Sequence, residues 1–404
     1  MRSTALVRAW FWMILAAAAY PQTASLDLKQ ALQIAESDNL ELRAARQQRA
    51  VAVSGLKIAG QIPNPVVSFS ASRDTPHESF LWDQPIEIGG QRGKRMAVAR
   101  EEQKATEIDI AVLSRQVRQR TREAFYAVLV SRARTEQAKA ALDLATSIRN
   151  VVQQRFDAGD VAQLDVIQAD VELARTTADY EAIVQAEKGA DAQLAALLTR
   201  PLDQPLSLVG KLDSIPQPGS LQSLNDAALL SNATVQRATQ EVEIEQRRLA
   251  LAKAQRVPNL DLQAAADLNS PGEFDLGPRG QIGISLPLFY HGQGEVAQSA
   301  ARLDFLHLSL QAQKTAASAQ VVVAYYDYVA RVHQAEQYGQ RVVPQSVRLE
   351  EMAEESYRSG KSNLLTLIDA QRKLNETRMA YLDTLSAAQS SFARLEEVVG
   401  TPLD

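Results

Sequence analysis

The feature that most constrains this fold is an internal repeat that covers nearly the whole chain. Residues 155–171 and 357–371 both read as a helix, a glycine and a second helix, centred on Gly159 and Gly360. At the offset of 201 between these glycines, the matched pairs are Leu164 and Leu365, Ile167 and Ile368, Ala169 and Ala370, Leu173 and Leu374, Tyr180 and Tyr381, and Leu194 and Leu395. A repeat this long is not a small solenoid module. The sequence therefore predicts two similar lobes.

The repeat also divides the chain into segments. They are a signal peptide at residues 1–24, a first repeat at residues 25–203, a linker at residues 204–223 and a second repeat at residues 224–404. The signal peptide is inferred because Arg2 and Arg8 precede the apolar residues 9–19, and small residues follow. The alternative is a transmembrane anchor, but this apolar run is short for a bilayer.

Composition and motifs narrow the function classes. The net charge of −5 at pH 7 makes nucleic acid an unexpected partner. The absence of cysteine excludes disulfides, thiolate metal sites and cysteine nucleophiles. No nucleotide loop or nucleophile elbow is present, so we expect no enzyme and no cofactor. The histidines show no ligand spacing, so we predict no metal site; they are His77, His291, His307 and His333.

Most of each repeat is predicted to be helical. Each repeat opens with a helix, at residues 28–59 and 224–256, that stops before a proline. Residues 93–157 contain no proline and no internal glycine, and as one helix would extend on the order of 100 Å. The matching residues 295–359 contain Gly339 and Pro344, which predict a local kink. After each glycine turn a second helix returns. The first carries a stripe at coiled-coil spacing, made of Leu164, Ile167, Val171, Ala174 and Ala178.

Each repeat also predicts two short strands between its helices. We place them at residues 65–72, 80–88, 260–268 and 281–288, where apolar and polar side chains alternate. In the first strand, for example, Val67 and Phe69 alternate with serines. A soluble sheet with one wet face and a membrane barrel with a polar interior both explain this alternation. The local pattern does not choose between them.

This order of elements resembles the TolC-type outer-membrane efflux family. The most specific matches are "IPNP" at residue 62, "GDVAQLDVIQADVELA" at residue 159 and "GKSNLLTLIDAQRKL" at residue 360. The strand-to-helix exit "EIGGQRGKR" at residue 87 is similar to the heavy-metal-efflux branch of that family. The resemblance covers the whole chain after the predicted signal peptide.

The resemblance implies a mainly α-helical fold with a membrane β-barrel. Three chains would contribute four strands each to one twelve-stranded barrel, and their long helices would form a tunnel through the periplasm. The implied function is the exit duct of a tripartite efflux pump for metals or drugs. Its implied partners are two further copies, outer-membrane lipid, a periplasmic adaptor and an inner-membrane transporter of the RND type. The alternatives are the outer-membrane component of type I protein secretion and a periplasmic coiled-coil scaffold or adaptor.

The resemblance also assigns roles near the two glycine turns. Asp369 matches a carboxylate that lines the periplasmic aperture, whereas Thr366 replaces a second one. Asp165 matches an acid that ties neighbouring hairpins shut, and Tyr357 matches its aromatic partner. The basic partner falls on Ser362, so Lys361 is a candidate substitute. We therefore expect a Tyr357–Asp165 hydrogen bond to latch the closed gate.

The turns are also the expected contact with the adaptor, which involves Gly159, Asp160, Gly360 and Lys361. Asp160 in the first turn, and Ser362 or Asn363 in the second, are predicted to cap the returning helices. A further set of exposed aromatic residues is expected at the membrane interfaces. It comprises Phe69, Trp82, Phe289 and Tyr290.

Overall fold

The computed structural model describes residues 25–272 and 274–403, so the predicted signal peptide lies outside the described residues. The helices are α1 (Leu28–Asp38), α2 (Leu40–Ala59), α3 (Gln91–Asp157), α4 (Gln163–Leu197), α5 (Leu221–Ser231), α6 (Ala233–Gln255), α7 (Gln293–Gln337), α8 (Val343–Arg358) and α9 (Leu364–Val399). The strands are β1 (Val66–Ala71), β2 (Glu78–Ile86), β3 (Leu260–Ser270) and β4 (Phe274–Ile284).

The described strands form one antiparallel sheet in the order β1-β2-β3-β4. Its register places Phe69 opposite Phe80, which in turn lies opposite Ala266. Because side chains alternate along a strand, the predicted apolar residues of all strands share one face. The other face carries polar side chains, including Asp83 opposite Gln263. The predicted separation of the two faces is confirmed.

One strand boundary differs clearly from the prediction. β4 occupies Phe274–Ile284 rather than residues 281–288. Its ladder with β3 ends where Leu260 pairs with Ile284, and β3 has no residue before Leu260 to pair further. Pro287 also lacks the N–H that a ladder needs. The apolar residues after Ile284 therefore continue the alternating pattern without belonging to the sheet.

Each opening helix is broken in two, although the sequence predicted single helices at 28–59 and 224–256. The breaks fall at Asn39 and Asn232, whose side-chain oxygens cap α2 and α6. Each buried Asn also donates its amide N–H to the last turn of another helix. Asn39 reaches the carbonyl of Leu197 at 3.1 Å, and Asn232 reaches that of Val398 at 2.7 Å. These bonds join α4 end to end with α2, and α9 with α6.

The junctions arrange the described elements in columns that run from the sheet to the glycine turns. The first column is β1, α2 and α4, and the second is β2 and α3. The third is β3, α6 and α9, and the fourth is β4, α7 and α8. Neighbouring columns pack against each other in this order, and α1 and α5 flank them at mid-height. The first and fourth columns are therefore the outer edges of the chain.

The fourth column contains the local irregularity that the sequence predicted. A π-helical turn at Tyr338–Val342 joins α7 to α8, directly before Pro344. Gly339 in this turn lies against Tyr381 of α9, whose hydroxyl would be 3.0 Å from an added Cβ atom. The absence of a side chain therefore lets α9 approach. The second column has no such turn, because α3 is continuous over its 67 residues.

The two lobes have separate apolar cores at mid-height. The first forms around Phe125 of α3 and Leu194 of α4, and the second around Phe392 of α9 and Val321 of α7. The linker crosses between them, since Leu208 pairs with Leu26 and the carbonyl of Pro216 accepts the hydroxyl of Tyr328. Burial raises the pKa of Tyr328 to about 12. The structure therefore contains two lobes, and the linker between the repeats contacts both of them.

Candidate functional site at the hairpin tips

The two glycine turns close two helical hairpins, α3–α4 and α8–α9. Gly159 and Gly360 have φ values of 82° and 72°, which a residue with a Cβ atom adopts only with strain. In the first turn, the N–H of Asp160 bonds the carbonyl of Arg155 at 2.8 Å. In the second, Lys361 bonds Ser356 in the same way at 2.9 Å. The predicted tight reversal at each glycine is confirmed.

The caps of the returning helices differ between the tips. Asn363 caps α9, because its Oδ1 accepts the N–H of Thr366 at 3.0 Å. Asp160 does not cap α4, because α4 begins only at Gln163. Instead, the carboxylate of Asp165 accepts the N–H of Ala162 at 3.2 Å. The predicted cap at Asp160 was wrong because the first turn is longer than expected.

The hairpins pack against each other near their tips. Leu364 and Ile368 of α9 are buried against Val152 of α3 and Ala169 of α4. The partly buried ring of Tyr357 joins this cluster, and the Arg155 guanidinium lies 5.5 Å from its centroid. The tip of the second hairpin is thus anchored on the first by apolar side chains.

The residues predicted to line the aperture, Asp369 and Thr366, lie on the exposed side of this contact. Asp369 is exposed although Ile368 and Ala370 on either side of it are buried. Thr366 is also exposed, and its hydroxyl donates to the Asn363 side chain at 2.8 Å. The helix therefore directs Asp369 away from the chain's own interior.

The expected Tyr357–Asp165 latch is not formed within the described chain. The carboxylate of Asp165 bonds its own helix terminus, and the hydroxyl of Tyr357 is shielded from solvent with no hydrogen-bond partner among the described residues. A latch between these residues would therefore have to form between copies or after a rearrangement. It stays a prediction.

Sequence reasoning missed an ion pair that joins the two hairpins. The Nε of Arg372 on α9 donates to Oε2 of Glu172 on α4 at 2.9 Å, and a second guanidinium nitrogen binds the same oxygen. This hydrogen bond holds the pKa of Arg372 above its ordinary value. Glu172 is buried, as are Ala169 and Thr176 on the same face of α4. Their three- and four-residue spacing was the signal that could have found this inward face.

The predicted coiled-coil stripe of α4 faces the opposite way. Leu164, Ile167 and Val171 are 62%, 52% and 59% exposed. The helix buries its Ala169 face against its own chain and leaves the larger apolar residues uncovered. The stripe is therefore not covered by the described part of the chain.

The predicted interfacial aromatic residues lie near the sheet. Phe69, Trp82 and Tyr290 are exposed, and Phe289 is 95% exposed. The ring of Phe69 lies 4.8 Å from that of Phe80, between centroids. Phe289 and Tyr290 lie between β4 and α7, where the Tyr290 hydroxyl donates to Glu295. Exposed aromatic side chains thus occur both on the apolar face of the sheet and at its junction with the helices.

Two features are absent from residues 25–272 and 274–403. No helix there has the length and hydropathy required to cross a membrane. No three His, Asp or Glu side chains in this part of the chain are grouped so that they could hold a metal ion.

Known proteins are similar to this chain in sequence and in fold. The cobalt-zinc-cadmium resistance protein CzcC of Cupriavidus metallidurans is 23% identical over 386 residues, which cover 94% of this chain and 92% of the relative. The pyoverdine export outer membrane protein OpmQ of Pseudomonas aeruginosa is 25% identical over 347 residues, covering 83% and 69%. A crystal structure of a membrane protein from Pseudomonas aeruginosa superposes with a TM-score of 0.78 at 17% identity, covering 92% and 93%.

The sequence also matches a family description, "Outer membrane efflux protein", once in each half. The matched residues are 31–200 and 224–401, most of the described chain. The two matched stretches agree with the two similar lobes of the fold. The chain therefore belongs to the outer membrane efflux protein family, whose members are export channels of the outer membrane.

Proposed function

We propose that three copies of this chain assemble head to tail into a closed duct, the outer-membrane exit of a tripartite efflux pump. The observation that carries the proposal is that both edge columns carry apolar side chains that no other described residue covers. At the first edge, β1 pairs with no described strand except β2, and α2 exposes Val51 and Ile58. Further down this edge lies the exposed stripe of α4.

The fourth column offers a matching surface over its whole length. β4 pairs only with β3 among the described strands, and α7 exposes Phe305 and Leu308 below it. Nearer the tip, α8 exposes Leu349 and Met352, three residues apart on one helix face. An edge that differs from its partner edge builds a ring rather than a two-fold dimer. Three copies would join their strands into a twelve-stranded barrel and their helices into a tunnel.

The sheet supports the membrane end of this duct. β3 and β4 each contain 11 residues, about the length of a tilted strand that crosses a bilayer. The apolar face of the sheet would meet lipid, and the exposed aromatic residues would lie at its boundaries. The polar face, with Asp83 and Gln263, would line the water-filled interior. The tips would then lie in the periplasm and meet the adaptor and the RND-type transporter.

We propose divalent metal ions as the cargo. This rests on CzcC, a cobalt-zinc-cadmium resistance protein that matches a larger share of the chain than the pyoverdine exporter does. An exposed Asp369 from each of three copies would surround the aperture with negative charge. Such a ring would attract hydrated cations.

The test compares assembly, conduction and resistance. The purified protein should migrate as a heat-sensitive trimer and should conduct ions in planar bilayers. Deletion of the gene should sensitise the cell to cobalt, zinc or cadmium. Protein confined to the soluble periplasmic fraction would contradict the duct. Sensitivity to a siderophore or an organic toxin instead of metals would contradict the cargo but not the duct.

A further inference from the structure

Two helices end directly below the sheet, and each carries a basic residue in its last turn. α2 ends at Ala59 before β1 and carries Lys57, and α6 ends at Gln255 before β3 and carries Lys253. Arg256 follows directly after α6. The helices that end at mid-height, α1, α4, α5 and α9, have no basic residue in the last turn. Away from the tips, these cations are thus specific to the junction with the sheet.

The junction cations have no anionic partner among the described residues. Lys57 and Lys253 are exposed, and their ammonium groups bond to no described residue. Among the described residues, Arg256 donates only to the backbone carbonyl of His291, at 3.1 Å. Residues 42–60 and 246–260 contain neither aspartate nor glutamate. The positive charges therefore remain available to an anion from outside the described chain.

An ion pair in the second column shows which side of the helices continues the polar face of the sheet. Glu87 directly follows β2, and because side chains alternate along an extended chain, it lies on the same side as Asp83 and opposite Ile86. A guanidinium nitrogen of Arg95 on α3 donates to the Glu87 carboxylate at 3.1 Å. The Arg95 side of α3 therefore continues the polar face.

The two lysines lie on the other side of this layer of helices. Arg95 lines a cleft together with Gly55 of α2 and Leu251 of α6. Lys57 comes two residues after Gly55, and Lys253 comes two residues after Leu251. Since successive helical residues turn by about 100°, a step of two residues places a side chain nearly opposite. Lys57 and Lys253 therefore point away from the cleft, on the side that continues the apolar face of the sheet.

We propose that Lys57, Lys253 and Arg256, named here the basic collar, bind the phosphate groups of anionic phospholipids where the apolar face of the sheet leaves the membrane. This inference rests on the proposed placement of the sheet in the outer membrane, with the tips in the periplasm. Arg256 lies one turn from Lys253 and shares its side of α6. Exposed Trp82 and Ile86 lie on the apolar face just above.

The order of apolar band, aromatic ring and cation along this side is that of a surface crossing from hydrocarbon to headgroups. Long basic side chains keep their methylene stems on apolar surface while the charge reaches the headgroup layer. Each such charge near an anionic membrane surface adds a favourable attraction. Because the basic collar lies on the apolar side rather than in the polar interior, a lipid headgroup fits it better than a dissolved anion.

The test is native mass spectrometry of the full-length protein in detergent, mixed with equal amounts of phosphatidylglycerol and phosphatidylcholine. The wild type should retain the anionic lipid about fivefold more often, and Lys57→Gln combined with Lys253→Gln should reduce this preference to about twofold. The control is Lys29→Gln combined with Lys211→Gln. It removes the same charge from two exposed lysines at mid-height and should keep the preference.

Planar bilayers give a second readout, which distinguishes the lipid side from the interior. A cation that lines a water-filled interior changes the ion selectivity of a channel. Because the basic collar lies outside that interior, the Lys57→Gln, Lys253→Gln variant should keep the wild-type reversal potential in a salt gradient.

The outcomes separate the basic collar from the duct. Equal retention of the two lipids by the wild type, or an unchanged preference in the Lys57→Gln, Lys253→Gln variant, would overturn the lipid contact. The duct would then stand, because heat-sensitive trimers and conductance report on it independently. Equal loss of preference in the control would assign the effect to net charge, and a shifted reversal potential would place the cations in the interior; both results contradict the proposal. A wild type that neither forms trimers nor conducts would overturn the duct itself.

Discussion

The side-chain amide of Asn232 donates to the backbone carbonyl of Val398 at 2.7 Å and so joins the end of α9 to the start of α6. The same side chain accepts the N–H of Thr234 at 2.9 Å, which caps the new helix. One buried residue thus satisfies groups at the ends of two helices, which would otherwise lack partners. Asn39 does the same between α4 and α2. The columns that run from the sheet to the tips depend on these two junctions.

Replacement of Asn232 by alanine should therefore lower the free energy of unfolding by about 1–2 kcal/mol, since it removes a cap and a buried hydrogen bond. Unfolding of the detergent-solubilised protein, followed by circular dichroism, measures the change. Asn150→Ala is the control, because Asn150 is an exposed residue within α3. Equal stability of the Asn232 and Asn150 variants would contradict a stabilising role for the junction between α9 and α6.

These two junctions are also the places where the helices predicted from the sequence differ from the structure. The repeat, the glycine turns and the two faces of the sheet follow from local chemistry, and the structure contains them. The breaks at Asn39 and Asn232 were missed because apolar periodicity continues on both sides of each. Each Asn caps the following helix locally, but the amide that it donates reaches the end of another helix, far away in sequence. Only the fold brings these groups together.

The edge columns predict the consequence of introducing a charge. Ile58→Asp on α2 and Leu308→Asp on α7 should each prevent assembly, because an unpaired carboxylate would be buried against an apolar surface. Size-exclusion chromatography with light scattering in detergent should show monomers. The controls Ile58→Leu and Leu308→Ile keep the apolar surface and should remain trimers. Trimers of normal stability from both Asp variants would show that these edges do not meet.

The candidate site was predictable only in part, for a physical reason. Gly159, Gly360 and Asn363 follow from turn and cap chemistry, which is local. The Glu172–Arg372 pair depends on how two hairpins approach each other, and the repeat gave no hint because it is not repeated. The stripe containing Ile167 was identified as a packing surface, but its exposure required the structure. The roles of Asp369 and Lys361 depend on an assembly of several chains and stay predictions.

The expected latch between Tyr357 and Asp165 needs a variant that spares the helix cap. Asp165→Ala should raise single-channel conductance, but it also removes the acceptor for the Ala162 N–H. Tyr357→Phe removes only a hydroxyl and leaves the ring beside Arg155. If the latch forms in the assembled channel, both variants should raise conductance, and the double variant should add little. A rise in Asp165→Ala alone would assign the effect to the lost cap.

A last prediction concerns acid stability at the contact between α3 and α6. The Gln240 amide donates to Glu101 at 3.0 Å and, with Lys104 and Arg247, holds the pKa of Glu101 below its ordinary value of 4.5. A lowered folded-state pKa gives stability that is complete above the unfolded value and is lost as the pH falls through the folded one. Gln240→Ala should therefore cost about 1–2 kcal/mol at pH 7 and less at pH 3.

Unfolding of the detergent-solubilised protein at several pH values measures this difference. Arg49→Gln is the control. Arg49 of α2 pairs with Glu107 of α3, and both side chains are exposed to solvent. Solvent screens that pair, so its loss should change stability little at either pH. The contrary outcome is that Gln240→Ala destabilises the protein equally at pH 7 and pH 3. The Gln240 amide would then act through packing or through its bond to the Glu101 backbone carbonyl. In that case the ionised Glu101 carboxylate does not help to join the second and third columns.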